Sequence, residues 1–416
     1  MTTQAQAAKS ARPSVFDPLD PDFIADPHRV LSDVRASCPV AHSDQFGGFW
    51  ALTRRRDVVE AAKRHDVFIN SVLHVVSGRR GGPAHTRPLM HSDQPEHTWF
   101  RAAMLPVLSG PIGSEIEPDL RAEAKRLVAV IAGRAEVDLV RDFCGPLMAF
   151  AITKIFGMED VDPAEFDRWN RQYVDGGQVD DREAVLEAHE HLVALAEALV
   201  EDRRAHPRDP SRDLATALIQ ARTPDGDPLD PQKIVGAVRQ PFLIVWLATS
   251  HSLGNMLQRL LVDRDLQDTL REQPGLIDAS VEEFLRLDMP QLGFGRTPAH
   301  DVDFAGVHMR ANEPVALVFP AANRDPEVFE EPDEFRIGRS PNPHLTFGAG
   351  VHSCPGKGIG RNLILIALES IINGTADMDL CGEIDQETWP FRAPRTLPAR
   401  LEARSDLASD PHGDVA

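Results

Sequence analysis

The sequence lacks any long uninterrupted apolar run. Apolar residues make up 42% of the 416 residues, yet no stretch of about 18 apolar residues occurs, so no membrane-spanning helix is predicted. Residues 1–13 are polar and rich in Ala, Ser and Thr, and they lack the apolar core of a signal peptide. We therefore expect a cytoplasmic protein with disordered tails at 1–14 and 405–416.

Cysteine pairs and excess positive charge are also missing. The four cysteines, at positions 38, 144, 354 and 381, form no C-x-x-C pair, which argues against a disulfide framework and a zinc site. The formal net charge is −20, and nucleic-acid binding requires basic patches that release counterions from phosphates. Neither nucleic acid nor a membrane is an expected partner.

Helical periodicity dominates what is present. Apolar residues recur at helical spacing, and one apolar stretch is long enough to indicate a buried helix. The last helix is expected to be capped by Gly374. Without an internal hinge, residues 15–404 are predicted to form one mainly α-helical domain. The predicted helices cover residues 120–132, 182–204, 231–262, 281–287 and 355–372.

Strand signals are fewer. Residues 48–53 are a candidate strand, and 301–319 alternate and turn in a way that indicates a small β-sheet. Residues 323–343 are rich in Pro, Asp, Glu and Arg without clear periodicity, which predicts a long meander.

One loop concentrates glycines around a single cysteine. Glycines let a backbone turn sharply and approach a flat, bulky group, and proline after the cysteine suits the first turn of a helix. A helix N-terminus stabilises an anion such as a thiolate. The loop reads Phe347-Gly348-Ala349-Gly350-Val351-His352-Ser353-Cys354-Pro355-Gly356.

This string resembles the haem-binding signature of the cytochrome P450 family, F-G-x-G-x-H-x-C-x-G, without a mismatch. The resemblance implies haem b as the cofactor and Cys354 as the axial ligand of its iron. It also implies a mainly α-helical fold with small β-sheets, in which haem lies buried between the distal helix and the cysteine loop with its following helix. The signature positions expected to hold the cofactor are Phe347, Gly348, His352, Cys354 and Gly356.

Two further motifs extend the resemblance over most of the chain. Glu283 and Arg286 match the family's E-x-x-R, and residues 323–339 look like its meander. By that match Arg339 joins Glu283 and Arg286 in a buried charge network. Such a network holds the core together and takes no part in the chemistry.

Residues 93–101 resemble the family's C-helix pattern D-P-P-E-H-x-x-x-R. His97 and Arg101 lie four residues apart and therefore share one helix face, and cationic donors on one face suit a carboxylate. The resemblance assigns both residues, together with Arg296 and His352, to the two haem propionates.

The long helix departs from the family pattern. Oxygen-activating members usually carry a motif resembling A-G-x-(D/E)-T-T, whose acid and alcohol relay protons. A gapless register counted back from Glu283 places Leu247 at the acid, Ala248 at the first alcohol and Thr249 at the second. In this register the acid is missing, and Thr249 is the candidate for proton delivery.

Two other registers remain open. A shift of one residue puts Ala248 at the acid and Thr249 at the key alcohol, whereas a shift of four puts His251 and Ser252 there. Peroxide-using members usually place an arginine near the iron, but Arg239 lies more than two turns upstream of these positions. Trp246 is interpreted as a core residue.

The resemblance implies a haem-thiolate monooxygenase that oxidises a small, mostly apolar organic substrate with O2. The altered helix leaves a second class open, namely peroxygenase, oxidative coupling or nitric-oxide chemistry, and a non-catalytic haem sensor is a third. The segment 69–89 is expected to form a lid over the pocket. The residues predicted to contact substrate are Leu243, Leu247, Ala248, Phe294 and Phe391.

Soluble bacterial members of the family usually receive electrons from a separate ferredoxin, so the resemblance implies such a donor; no cysteine cluster or flavin domain is fused to the chain. Lys357 and Arg361 follow the cysteine on its helix, and Arg101 belongs to the same side of the haem. A local basic patch on an acidic protein would steer an acidic redox partner.

Overall fold

The computed structural model describes residues 16–71 and 87–404. The predicted tails and most of the predicted lid lie outside these residues. Of the helices described, none combines the length and the apolar character needed to cross a bilayer.

Helices form most of the described chain. The longest, α11, packs against α7, α9 and α15, and α15 packs in turn against α6. The helices are α1 (Pro21–Ala25), α2 (Pro27–Ser37), α3 (Arg55–Lys63), α4 (Glu96–Leu108), α5 (Ile112–Glu115), α6 (Glu117–Ile131), α7 (Gly145–Ile155), α8 (Pro163–Gln178), α9 (Arg182–Ala205), α10 (Leu214–Gln220), α11 (Pro231–Val262), α12 (Arg264–Glu272), α13 (Leu276–Leu287), α14 (Phe319–Ala322) and α15 (Lys357–Gly374).

The strands form small sheets at the periphery of the helices. One sheet has the order β1-β2-β8-β5-β3, with β2 and β8 parallel and the other neighbours antiparallel; β4-β12-β9 form a second sheet, and β6-β7 and β10-β11 are hairpins. The strands are β1 (Val40–Ser43), β2 (Phe49–Leu52), β3 (Phe68–Ile69), β4 (Val137–Asp138), β5 (Phe294–Pro298), β6 (Val302–Phe304), β7 (Val307–Met309), β8 (Val315–Leu317), β9 (Thr375–Leu380), β10 (Asp385–Gln386), β11 (Pro394–Thr396) and β12 (Pro398–Ala403).

Several helices begin at an Asp-Pro pair, and local chemistry explains why. Proline suits the first helical position, where its missing N–H is not needed, and the preceding carboxylate accepts from free N–H groups. Before α11, Asp230 Oδ1 accepts hydrogen bonds from the backbone N–H groups of Gln232 (2.8 Å) and Lys233 (3.3 Å). The same pairing starts α1, α2 and α8. The start of α11 at Pro231 consequently coincides with the predicted start, and its end at Val262 matches the prediction as well.

Other helix ends differ from prediction. α13 begins at Leu276, well before the predicted start at Val281, because no capping side chain marks its first turn. α15 begins at Lys357 rather than Pro355. Gly374 is not a cap after the helix but its last residue. A Cβ there would lie 2.8 Å from Val128 Cγ1, so glycine at this position lets α6 and α15 approach closely.

Candidate functional site

A cavity of about 2090 Å³ lies between the middle of α11 and the loop that precedes α15. Ala248 is exposed although it lies within a largely buried helix, and Cys354 is exposed on the loop. Both side chains therefore border open space in the cavity rather than packed protein. All the residues predicted to contact substrate line it, namely Leu243, Leu247, Ala248, Phe294 and Phe391.

The cysteine loop is shaped by two glycines and a short backbone bridge. Gly348 and Gly350 adopt φ values of 73° and 72°, the left-handed region that favours glycine. A Cβ on Gly350 would collide with the carbonyl oxygen of Ala62 in α3. The Cys354 N–H donates to the Phe347 carbonyl at 2.7 Å. This closed loop holds the cysteine against the cavity.

The Cys354 thiol is accessible to the cavity, yet enough protein surrounds it for burial to raise its pKa. A hydrogen bond from the Gly356 N–H and the positive charge of Arg101 act in the opposite direction. The loop therefore disfavours a free thiolate but offers it a donor and a cation. A metal cation bound at the sulfur would stabilise the deprotonated, thiolate form of Cys354.

Two arginines predicted for the propionates lie at the cavity wall. Arg101 Nη1 donates to the Ser353 carbonyl at 2.8 Å, which ties α4 to the cysteine loop. Arg296 is buried and donates to the carbonyl of its neighbour Gly295 at 2.8 Å. Burial lowers the pKa of Arg296 to about 10, partly offset by Asp93. This buried guanidinium retains donors for a further acceptor.

Two histidines complete this wall. The ring centroids of His97 and His352 lie 4.2 Å apart. Burial lowers the pKa of His97 to about 4, and burial with the nearby charges of His97 and Arg296 lowers that of His352 to about 3. His352 Nδ1 lies 3.2 Å from the Leu89 carbonyl, whereas His97 Nδ1 is buried without a partner among residues 16–71 and 87–404.

Two hydroxyls of α11, those of Thr249 and Ser250, donate to carbonyls of their own helix. The Thr249 hydroxyl donates to the Val245 carbonyl, and its methyl group lies near Gly360 of α15. Trp246 is buried in the core, as predicted, and its Nε1 donates to Asp167 Oδ1 at 2.9 Å. Thr249 nevertheless lines the cavity, and its oxygen keeps a lone pair for another donor.

His251 of α11 lies beside a carboxylate from another part of the chain, that of Glu387. His251 Nε2 lies 3.5 Å from Glu387 Oε1, and both residues are buried. Burial lowers the pKa of His251 to about 3, so its imidazole is neutral at pH 7. The Phe391 ring packs edge-on against it at 5.8 Å.

The predicted structural residues form a buried network outside the cavity. Arg286 donates to both carboxylate oxygens of Glu283 at 2.8 and 2.7 Å, and Arg339 Nε donates to the same carboxylate at 2.8 Å. Arg286 also donates to the carbonyls of Asn323 and Glu334 in the meander. The network therefore joins α13 to the segment that leads into the cysteine loop.

Comparisons with known proteins agree with this architecture. The family model described as Cytochrome P450 matches residues 52–374. Cytochrome P450 107B1 of Saccharopolyspora erythraea is 31% identical over 399 residues, which cover 92% of this chain and 96% of that protein. The chain belongs to the cytochrome P450 family.

Two further relatives extend this result to the P450 fold and reaction class. Vitamin D(3) 25-hydroxylase of Pseudonocardia autotrophica is 30% identical over 398 residues, 92% of this P450 and 96% of the relative. A solved cytochrome P450 from Chondromyces apiculatus has a TM-score of 0.83 at 24% identity, covering 94% and 99% of the two chains. The predicted family and fold are confirmed, and the P450 is an oxidoreductase of the monooxygenase class, which argues against a non-catalytic sensor.

The family implies a haem cofactor, and the cavity of this P450 fits one. The exposed Ala248 and Cys354 border a gap that a flat apolar ring would fill. The buried Arg296, and His97 Nδ1, which has no partner in the described part of the chain, offer donors to anionic substituents. The signature residues Phe347, Gly348 and Gly356 also line the cavity.

Some residues that line the cavity of the P450, or contact its lining, were not predicted as site residues. Glu387, Tyr173 and His189 were missed, Arg87 was predicted only as part of the lid segment 69–89, and Arg239 was considered too far upstream. All of them except Glu387 line the cavity. Two signals were available in the sequence. Tyr173 is its single tyrosine, and Arg239 is a charge within a largely apolar stretch, where unpaired charges are rare.

Proposed function

We propose that this P450 uses haem b, with the Cys354 thiolate as the axial ligand, to insert one oxygen atom of O2 into a small, mostly apolar organic substrate. The bound haem supplies the oxygen activation, and a thiolate ligand favours O–O cleavage. The single observation that carries the proposal is one cavity bordered by an exposed cysteine on a glycine-shaped loop and by the apolar side chains of α11.

The chain's own residues would orient the cofactor. Arg101, Arg296, His97 and His352 would donate to the propionates. This role suits the buried Arg296 because an anion would compensate for its desolvation. An anion beside His97 would also raise the low pKa of that histidine.

The α11 side of the cavity would bind substrate and deliver protons. Leu243, Leu247 and Ala248 would contact an apolar body and exclude water from it. Thr249 is the proposed proton-delivery residue: with its hydrogen bonded to Val245, its oxygen keeps a lone pair that would accept a hydrogen bond from a water molecule and hold that proton carrier at the cavity wall.

A separate ferredoxin is the proposed electron donor. Lys357 is exposed beside the cysteine loop and supports docking of an acidic protein. The rest of the predicted basic patch is weaker than its residue types indicated. Arg361 forms ion pairs with Glu282 (2.8 Å) and Asp278 (2.9 Å), so its charge is neutralised locally.

The decisive experiment is the carbon monoxide difference spectrum of the reduced protein and of Cys354→Ser. We expect the native protein to give the thiolate-ligated band after which the family is named and the variant to lose it. A folded, haem-loaded native protein that lacks this band would refute thiolate ligation by Cys354.

A second candidate is a haem-thiolate reaction driven by peroxide, by oxidative coupling or by nitric oxide. It is favoured by α11, which presents Leu247 where the gapless register expects an acid, and whose nearest titratable group, His251, is neutral at pH 7. Turnover with hydrogen peroxide and none with a ferredoxin, its reductase and NADPH would select the peroxide-driven reaction.

A further inference from the structure

A buried arginine lies at the cavity end of α11 nearest its N-terminus. Arg239 is only 2% exposed, yet it borders the cavity. Its Nη1 lies 3.2 Å from His189 Nδ1 of α9. Its Nε has no hydrogen-bond partner among the described residues. A guanidinium carries five N–H donors, so one contact to an imidazole leaves most of them for a ligand.

Further basic groups surround this arginine. Arg87 donates to the Tyr173 hydroxyl at 3.3 Å, and both residues line the same part of the cavity. Burial and then the charge of Arg87 lower the pKa of Arg239 to about 10, with Tyr173 acting the other way. Burial, followed by Arg87 and Arg239, lowers the pKa of His91 to about 4. Positive charges thus converge here and repel one another.

No carboxylate among the described residues compensates for them. Within residues 16–71 and 87–404, neither Arg87 nor Arg239 forms an ion pair with a carboxylate, although ion pairs are common elsewhere in those ranges. Residues 72–86, which directly precede Arg87, contain no Asp or Glu in their sequence. Buried charges in proteins are normally paired with an opposite charge. The described residues supply no such partner for Arg87 and Arg239, so a bound anion would be the missing counterion.

The cluster is distinct from the wall assigned to the haem propionates. The charged groups that shift the pKa of Arg239 are Arg87 and Tyr173. For Arg296 the corresponding group is Asp93. Arg239 and Thr249 are ten residues apart on α11, which corresponds to about 15 Å along the helix axis. An anion at Arg239 would therefore lie well away from the region around Thr249 and Ala248.

We infer that Arg239 and Arg87, with the Tyr173 hydroxyl, bind a carboxylate on the substrate, so that the substrate is an organic acid with an apolar body. Two guanidinium groups provide charge-assisted donors in the geometry that a carboxylate accepts. The apolar body would extend along Leu243 and Leu247 towards Cys354. This inference rests on the proposed function, because it makes the cavity the substrate pocket of a haem-loaded enzyme.

The test compares acids with their neutral counterparts on the haem-loaded protein. Binding of dodecanoate and of 4-phenylbutyrate is measured against the methyl ester of each by isothermal titration calorimetry and by the haem absorption shift. We expect at least one acid to bind about tenfold or more tightly than its ester, and Arg239→Gln to remove that preference. Arg87→Gln and Tyr173→Phe test the same preference without altering a fully buried residue.

Arg204→Gln is the matched control, since it removes one exposed arginine of α9 and should leave the preference unchanged. The inference is overturned if neither acid outbinds its ester, or if the variants weaken acid and ester equally. The carbon monoxide spectrum is recorded on each sample. Its loss in the native protein would count against the proposed function, whereas a normal spectrum without acid preference would count against the anionic site alone.

Discussion

His251 of α11 and Glu387, which follows β10, face each other with 3.5 Å between Nε2 and Oε1, and both are buried. Burial lowers the pKa of His251 from 6.5 to about 3. Because His251 resists protonation in the folded state, the folded protein binds fewer protons than the unfolded chain between pH 6.5 and 3. The free energy of unfolding contributed by this group is therefore fully present above pH 6.5 and declines as pH falls from there towards 3.

We predict that His251→Gln makes stability less dependent on pH. Lowering the pH from 7 to 5 should cost the native protein about 2 kcal/mol of unfolding free energy through this residue, and the variant should lack that part of the loss. Urea unfolding at the two pH values measures it. His206→Gln, at an exposed histidine 3.1 Å from Asp202, is the control. Equal losses in the native protein and His251→Gln would contradict the prediction.

Thr249 provides a prediction about proton delivery. If its hydroxyl oxygen acts at the cavity wall, Thr249→Ala should divert a several-fold larger share of NADPH equivalents to hydrogen peroxide, while Thr249→Ser should preserve coupling to product. The measurement is the ratio of product to peroxide with a ferredoxin system. Unchanged coupling in Thr249→Ala together with peroxide release in His251→Phe would transfer the role to the histidine.

The buried network of Glu283, Arg286 and Arg339 should contribute much more to stability than an exposed ion pair with the same spacing. Burial alone would raise the pKa of Glu283, but hydrogen bonds from Arg286 and Arg339 outweigh it and lower that pKa. Glu283→Gln should therefore destabilise the protein by roughly 3–5 kcal/mol, since it leaves buried cations unpaired.

The control pair has the same spacing on a helix surface. Glu165 and Arg168 also lie three residues apart, 3.0 Å from each other, but both are more than half exposed. Glu165→Gln should cost less than about 1 kcal/mol. Urea unfolding monitored by circular dichroism compares the two variants, and similar losses would show that burial does not set the strength of the Glu283 network.

Features encoded in contiguous residues were the most predictable. Asp230-Pro231 and the apolar run after it predicted α11, and the string around Cys354 predicted the glycine-shaped loop. By contrast, α13 has no capping side chain before Leu276, so its first turns were not foreseen.

Contacts between distant segments could not be read from spacing. Glu387 approaches His251 only because the β10–β11 hairpin folds against α11, and no periodicity within either segment indicates this. The sequence correctly indicated that Arg239 lies more than two helical turns before Thr249 on α11. Its relevance was missed because a sequence does not reveal the extent of a cavity or the convergence of α8 and α9 upon it.

The last prediction concerns Gly350 in the cysteine loop. Its φ of 72° strains any other residue, and a Cβ would meet the Ala62 carbonyl and lie 3.2 Å from the Lys63 Cα. Gly350→Ala should destabilise the fold by roughly 1–3 kcal/mol and, because relief requires the loop to move away from α3, should lower the haem content of the purified protein. Gly358→Ala is the control, since a Cβ there meets nothing within 4 Å. Haem content is measured from the ratio of Soret to protein absorbance. Full occupancy in Gly350→Ala would show that the contact with α3 does not position Cys354.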